Sequence, residues 1–280
     1  MLKSLDIEPT TICNLACPFC FGPHVNFKEV SLDIEIWFSA LENFRKMGVE
    51  NVIFSGGEPL LYKKIIELVK HAKQLGYNIV ISTHGRLKEK TFEVAEYCDW
   101  ISMPIDGVSY ETILNMRTDE TQNAHIIDMA KELKKTFGHI KIKIGTVATK
   151  KNIHEIIDIG KLLENNIDYF NTWKIYQYTP RRKFKSNNEL LSVSNVDFNL
   201  LQNKISGIFP KNMRIVYSSN KSRSNAYTFI YQNGDVNLVN IGKDFDDMKV
   251  GNICHFNDIN FELIKQKLND NHSLNYCNTY

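Results

Sequence analysis

Cys13, Cys17 and Cys20 lie in the stretch Cys13-Asn14-Leu15-Ala16-Cys17-Pro18-Phe19-Cys20, separated by three residues and then by two. That spacing puts three thiolates on one short loop. Thiolates are the usual ligands of iron–sulfur clusters, and a cubane takes one ligand per iron, so three local cysteines leave one iron open to something else. The alternatives are a zinc site that borrows a fourth ligand, or three ordinary buried thiols. Zinc sites more often use paired C-x-x-C knuckles, and Cys254 and Cys277 are distant and unpaired. Even with His255 and His272 those two make a poor ligand set for a second cluster. Cys98, just before Trp100, reads as an inert buried thiol.

A second group is Ser55-Gly56-Gly57-Glu58-Pro59, directly after the apolar run Val52-Ile53-Phe54. Two glycines at a strand end let a ligand approach the backbone closely. Glu58 then offers a carboxylate to an ammonium group. Further on, Lys143 alternates with apolar residues over 140–147. Facing inward it would need a partner, such as an anionic ligand; facing outward it would be solvated. Lys174, in Trp173-Lys174-Ile175-Tyr176-Gln177, could hold phosphate as a point charge. His84 and Asp106 stand at strand-end turns. His84 reads as structural first, and Asp106 as a turn residue before a substrate-orienting one.

These groups need a scaffold, and composition bounds it. The chain has 280 residues and is 43% hydrophobic, which predicts one globular domain with at most a small appendage. No run of eighteen apolar residues suggests a membrane helix, and the N-terminus lacks the apolar stretch of a signal peptide. A net charge of +2 gives no basis for a nucleic-acid polymer as partner. Six cysteines, three clustered and three scattered, do not form a secreted disulfide framework. A reducing cytoplasm is the expected location.

Strand patterns run over 3–8, 51–54, 78–82, 100–104, 140–148 and 170–176. Helical patterns lie between them, over 32–47, 62–75, 88–96, 124–137 and 153–165. Ser31 and Asp33 are placed to cap the first helix, and Gly48 and Gly76 to end the first two. Alternating strands and helices imply parallel pairing through right-handed crossovers. Six such units predict an α/β fold, a partial (β/α)6 barrel over residues 1–178, with its site at the C-terminal strand ends. After Tyr178 the pattern changes to a helix over 197–208, strands over 213–217 and 225–231, an Asn233-Gly234-Asp235 hairpin turn into 236–239, and a helix over 261–268. Residues 179–280 are read as an extension that closes the barrel.

With the glycine turn one β–α unit after the three-cysteine loop, the chain resembles the radical S-adenosylmethionine (radical SAM) superfamily. The resemblance implies a [4Fe–4S] cluster held by Cys13, Cys17 and Cys20, whose open iron binds the amino and carboxylate groups of S-adenosylmethionine. It also implies that Gly56, Gly57 and Glu58 hold the methionine amine. The chemistry implied is reductive cleavage to a 5′-deoxyadenosyl radical, fed by an external one-electron reductant, and abstraction of a substrate hydrogen. Ser82, at the end of the third strand, would reach the methionine or ribose of the cofactor, with a plain strand-to-helix turn as the alternative.

Cys17-Pro18-Phe19-Cys20-Phe21, Lys143-Ile144-Gly145-Thr146-Val147 with Asn152, the Trp173–Gln177 segment, and Ser219-Asn220 followed by Tyr227 are similar to the viperin-type nucleotide dehydratases. Those enzymes take the 4′ hydrogen of a nucleoside triphosphate. The 3′ hydroxyl then leaves as water, and an electron and a proton complete the 3′-deoxy-3′,4′-didehydro nucleotide. Carried over, Lys143, Lys174 and Asn220 would bind a small anionic substrate, a nucleotide. Tyr227 would donate the hydrogen atom, Ser55 would sit at the cofactor, and contacts at Tyr176 would hold adenine. Three positions depart from that pattern: Asp6 replaces an asparagine, Asn51 a phosphate-contacting lysine, and Thr172 an arginine. Two lost cations and a gained carboxylate weaken a triphosphate site. Arg117, Arg181, Arg182, Arg223 and Lys243 are the cations available to compensate. A radical SAM enzyme acting on a peptide or another metabolite, and a non-catalytic iron–sulfur or zinc protein, are the rival readings.

Overall fold

A computed structural model describes residues 2–22, 32–117, 122–181, 187–224, 226–239 and 247–268. Short apolar runs form the parallel strands β1 (Ser4–Ile7), β2 (Asn51–Phe54), β3 (Asn78–Ser82), β4 (Trp100–Pro104), β5 (Lys141–Ala148) and β6 (Thr172–Gln177). The first crossovers carry helices α1 (Ile34–Lys46), α2 (Ile65–Gln74) and α3 (Lys88–Ala95). The later ones carry α4 (Tyr110–Arg117), α5 (Gln122–Thr136) and α6 (Ile156–Glu164). On α1, Ile34, Trp37, Ala40, Leu41 and Phe44 are buried, the helical repeat of a core-facing stripe. Gly48 and Gly76 end α1 and α2 at φ +87° and +77°, where a side chain would be strained. Asp33 occupies the N-cap position of α1 without a side-chain capping bond; Ser31 lies outside the described residues.

The extension contributes the short helices α7 (Asn188–Leu191) and α9 (Asn220–Arg223), with α8 (Asn195–Ser206) between them and α10 (Phe261–Lys267) near the end. Its strands are β7 (Ile215–Ser218), β8 (Thr228–Ile230), β9 (Asp235–Val239) and β10 (Asp247–Asn252). All ten strands form one sheet in the order β10-β9-β8-β1-β2-β3-β4-β5-β6-β7. The extension thus adds β7 beside β6 and β8–β10 beside β1, lengthening both edges. Among the described residues, β7 and β10 do not pair with each other. The β8–β9 hairpin turns at Gly234, φ +82°, as its sequence demanded.

The sequence pattern showed neither the four-residue helices α7 and α9 nor two longer elements, β10 and α4. Strand β10 has a register shift between Lys249 and Gly251 and buries little besides Val250, so it carries no clean alternation. Helix α4 has a weak apolar stripe, and its N-terminal segment is tied down from a distance: Glu155 accepts hydrogen bonds from the backbone of Val108 and Ser109 and from the hydroxyls of Ser109 and Thr112.

Pairing register decides what faces the barrel interior. Leu5, Val52, Phe54, Ile79 and Ile81 pack outward into the large core under the helices. Ile53, Val80, Trp100 and Phe229 point the other way and form an apolar floor. Asp6 pairs with Ile53 on one side and Phe229 on the other. One layer nearer the C-terminal ends, Ser82 pairs with Ser102 and Ser102 with Lys143, a polar row on three adjacent strands. No helix among the described residues is long and apolar enough to cross a membrane.

Candidate active site

Above the apolar floor lies a cavity of about 330 Å³. Cys13, Cys17, Cys20, Ser55, Gly56, Gly57 and Glu58 line one part of it, and Ser82, Lys143, Lys174, Tyr176 and Tyr227 another. Twelve of the thirteen site residues read from the sequence therefore meet in one space. The thirteenth, Asn220, is not part of the lining; its Oδ1 accepts from Arg223 at 2.7 Å and from the Thr179 hydroxyl, which makes it a support for Arg223.

The glycine turn is built into the cysteine loop. Gly57 N–H donates to Thr10 O at 3.0 Å, and Glu58 N–H to Ile12 O at 2.7 Å. A Cβ on Gly56 would lie 2.6 Å from Thr10 O, and one on Gly57 2.1 Å from Ile12 O. Gly56 also has φ +120°. The two glycines are thus required by the close approach of the cysteine loop, a reason the sequence reading had assigned to a ligand. Each thiol accepts one N–H donor: Cys13 Sγ from Leu15 at 3.4 Å, Cys20 Sγ from Gly22 at 3.3 Å, and Cys17 Sγ from the Arg117 guanidinium at 3.6 Å. Arg117 is held by Asp106 at 2.6 Å and stacks on Phe19 at 4.8 Å. Asp106 also accepts from Val147 N–H, so it is a strut between α4 and β5 rather than a bare turn residue. Among the described residues no three His, Cys, Asp or Glu side chains form the ligand set of a single metal ion. Burial raises the Cys13 and Cys20 thiols, so metal loading must displace their protons.

Glu58 is 1% exposed. Its Oε1 accepts from Leu60 N–H at 3.2 Å and the Thr83 hydroxyl at 2.8 Å, and its Oε2 from His84 N–H at 2.9 Å. The His84 ring lies 3.3 Å from the same Oε2 and bonds to Asn14 Oδ1 at 2.7 Å. Burial raises the Glu58 carboxyl to about 7, against these hydrogen bonds. The carboxylate therefore straps the end of β3 to the glycine turn, while an arriving ammonium would favour its charged form. Glu58→Gln puts an N–H₂ where donors now point. It is expected to destabilise the unliganded fold by about 1.5–3 kcal/mol in urea unfolding, the range for a hydrogen bond to a charged group. Unchanged stability would reject the strap.

The opposite wall is cationic. Lys143 and Lys174, on β5 and β6, are 1% and 2% exposed. Lys143 Nζ donates to the Tyr176 hydroxyl at 3.4 Å; Lys174 Nζ lies 5.0 Å from the centre of the Tyr176 ring and makes no hydrogen bond to the described residues. Arg223, 5.7 Å from the same ring, lines the cavity and donates to the Thr179 hydroxyl at 2.6 Å. Burial lowers both lysines: Lys143 falls well below its ordinary value, and Lys174 falls to about 7, helped by Arg223. Tyr227 is buried and bonded to Ser218, and burial raises its phenol, so the O–H stays intact at neutral pH. Facing this wall, Asp6 accepts from the Ser55 hydroxyl, and burial raises its carboxyl to about 7.

The family model described as the radical SAM superfamily matches residues 7–163, more than half of the chain. The chain belongs to the radical SAM superfamily. A curated relative from Flammeovirga pacifica, named S-adenosylmethionine-dependent nucleotide dehydratase, is 29% identical over 250 residues, covering 82% of this chain and 80% of its own. A PqqA peptide cyclase from Bradyrhizobium diazoefficiens is 31% identical over 160 residues, covering 55% of this chain and 41% of its own. Streptococcus suis SuiB bound to S-adenosylmethionine shares the fold at TM-score 0.71 and 17% identity, over 98% of this chain and 67% of its own.

A radical SAM protein uses a [4Fe–4S] cluster and S-adenosylmethionine, and the residues present fit both. Three thiols with N–H donors on their sulfurs are a suitable cluster-ligand set, since such hydrogen bonds tune the cluster. The turn at Gly56 and Gly57 and the carboxylate of Glu58 lie beside those thiols in the same cavity. What the sequence reading did not single out is how the cations divide. Arg223 joins the site, while Arg181 is bound to Asp247 and to Tyr231 and stacks on Phe21 at 4.2 Å. Arg182 and Lys243 lie outside the described residues. Cys98 is buried in the outer core, away from the cavity.

Proposed function

We propose that this radical SAM protein acts on a small anionic substrate, a nucleotide, and removes water from it to give a 3′-deoxy-3′,4′-didehydro product. The observation that carries this reading is Lys174. A buried ammonium with an aromatic ring beside it and no hydrogen bond is a costly arrangement. It stands beside Lys143 and Arg223 in the cavity that also holds the thiols. An anion would satisfy it, and phosphate suits a lysine as a point charge. The name of the Flammeovirga pacifica relative supports the same reading.

When bound, the cluster and S-adenosylmethionine supply the 5′-deoxyadenosyl radical. The chain's own residues do the rest. Lys143 and Lys174 hold the anionic end, Arg223 adds charge beside Tyr176, and Tyr227 keeps a neutral O–H ready to give a hydrogen atom. An external one-electron reductant completes the turnover.

The test is anaerobic incubation with S-adenosylmethionine, dithionite and a panel of nucleotides. A nucleotide is expected to stimulate 5′-deoxyadenosine release and to lose the mass of one water. Tyr227→Phe removes only the O–H, so it should leave nucleotide affinity within about twofold and cut product at least tenfold per deoxyadenosine made. The peptide cyclase relative keeps a peptide substrate as the rival. Absence of stimulation by every nucleotide would reject the proposal in its favour.

A further inference from the structure

Among the described residues, three carboxyl side chains line the cavity: Glu58, Glu8 and Asp6. Glu58 spends its oxygens on Leu60, Thr83 and His84. Glu8 is 1% exposed and has interactions of its own. Asp6 differs. It is 9% exposed, its Oδ1 takes the Ser55 hydroxyl, and among the described residues no hydrogen bond reaches its Oδ2. A carboxyl oxygen open toward a cavity is placed to take a ligand group. A hydroxyl fits there in either protonation state, since it both donates and accepts.

Asp6 also sits in the electrostatic field of Lys143 and Arg181, and it acts on Lys174 and Tyr227 in turn. Asp6, Lys143 and Lys174 line the same cavity, so one ligand in it can meet the lysines with one end and Asp6 with the other. Charge limits what that ligand can be. Lys143, Lys174 and Arg223 bring three positive charges when protonated, and ionised Asp6 removes one of them. Glu8, two residues further along β1, adds to the negative side. Arg117, the remaining arginine or lysine among the described lining residues, is paired with Asp106. A phosphomonoester carries about −1.5 to −2 near neutral pH, which this balance matches. A triphosphate brings more negative charge and sets it against Asp6.

We propose that Asp6 determines specificity: its free oxygen binds a pentose hydroxyl, and its charge restricts the anionic end held by Lys143 and Lys174 to a single phosphate. The ligand class is a nucleoside monophosphate. This inference rests on the nucleotide reading above.

The experiment is calorimetric titration of the protein, loaded anaerobically with cluster and S-adenosylmethionine, with the four ribonucleoside 5′-monophosphates and the four 5′-triphosphates. For the parent protein, a monophosphate is expected to bind at least tenfold more tightly than its triphosphate. Asp6→Asn keeps the shape and removes the charge, and it should shrink that ratio at least tenfold; Asp6→Ser is the second variant if the first folds poorly. A parent protein that prefers triphosphates, or a ratio unmoved in the variants, overturns the role of Asp6 while leaving a nucleotide site standing. No binding of any nucleotide rejects the nucleotide reading itself, and this inference with it.

Discussion

Replacing Cys13, Cys17 and Cys20 together with alanine is expected to abolish iron binding and every reaction that needs the cluster. Anaerobic reconstitution should give about four irons per chain for the parent protein and essentially none for the triple variant. The loss should come without global unfolding. Cys13 is exposed and Cys20 half-buried, and Cys17 belongs to a small apolar group with Phe19, Met116, Tyr178 and Leu191, not to the main core. Far-ultraviolet circular dichroism should therefore change little. Cys98→Ala is the internal control. That thiol is fully buried in the outer core, and burial raises it far above the ordinary thiol range. Its removal can cost stability but not iron. Retained iron in the triple variant, or zinc as the tightly held metal in protein purified without oxygen, would reject the assignment.

The parts of this site visible in the sequence are those whose spacing is local. Cys13, Cys17 and Cys20 share one loop, and Gly56, Gly57 and Glu58 share one turn, so spacing alone brings each group together. Strands β2, β3 and β4 were bounded to the residue. Each is a short, largely apolar run, buried in the structure and flanked by turns. What could not be read is whatever depends on pairing across the sheet. Lys143 faces inward because Ser102 is its partner, and Ser102 is inward because Ser82 is. No spacing between residues 82 and 143 encodes that. The partners of Glu58, Thr83 and His84, lie 25 and 26 positions away on another strand end. Arg223 reaches the cavity from a four-residue helix whose cap, Ser219, signals a turn but not its direction. The glycines show the same division. Their need was legible, but the backbone that presses on them, at Thr10 and Ile12, was not.

The largest ligand-linked effect is expected at Lys174, and it should depend on pH. In the unliganded protein Lys174 titrates at about 7 instead of 10.5, because burial disfavours its charge and Arg223 repels it. A phosphate held by the ammonium reverses that preference and raises the value again. Below pH 7 the lysine is already charged, and its protonation adds no pH dependence to binding. Above pH 7 a proton must be taken up with the ligand, so affinity should fall by up to tenfold per pH unit for each proton. Asp6, also titrating at about 7, and Lys143, likewise lowered by burial, push in the same direction, since a nearby anion raises both. Between pH 7 and 8.5 a phosphate ester is already close to its full charge, its second ionisation lying near 6, so the ligand's own titration contributes little. Calorimetry in buffers of different ionisation enthalpy should show uptake of at least one proton at pH 8. Lys174→Ala should weaken nucleotide binding by about 1.5–3 kcal/mol at pH 7. It should remove one proton from the uptake at pH 8, and it should leave the affinity for the corresponding nucleoside nearly unchanged. The same depressed value predicts that the unliganded fold gains stability from this group as pH rises from about 7 toward 10.5, because over that window the unfolded chain binds the extra proton. A pH-independent affinity between 7 and 8.5, or equal losses for nucleotide and nucleoside in Lys174→Ala, would show that this lysine holds no phosphate.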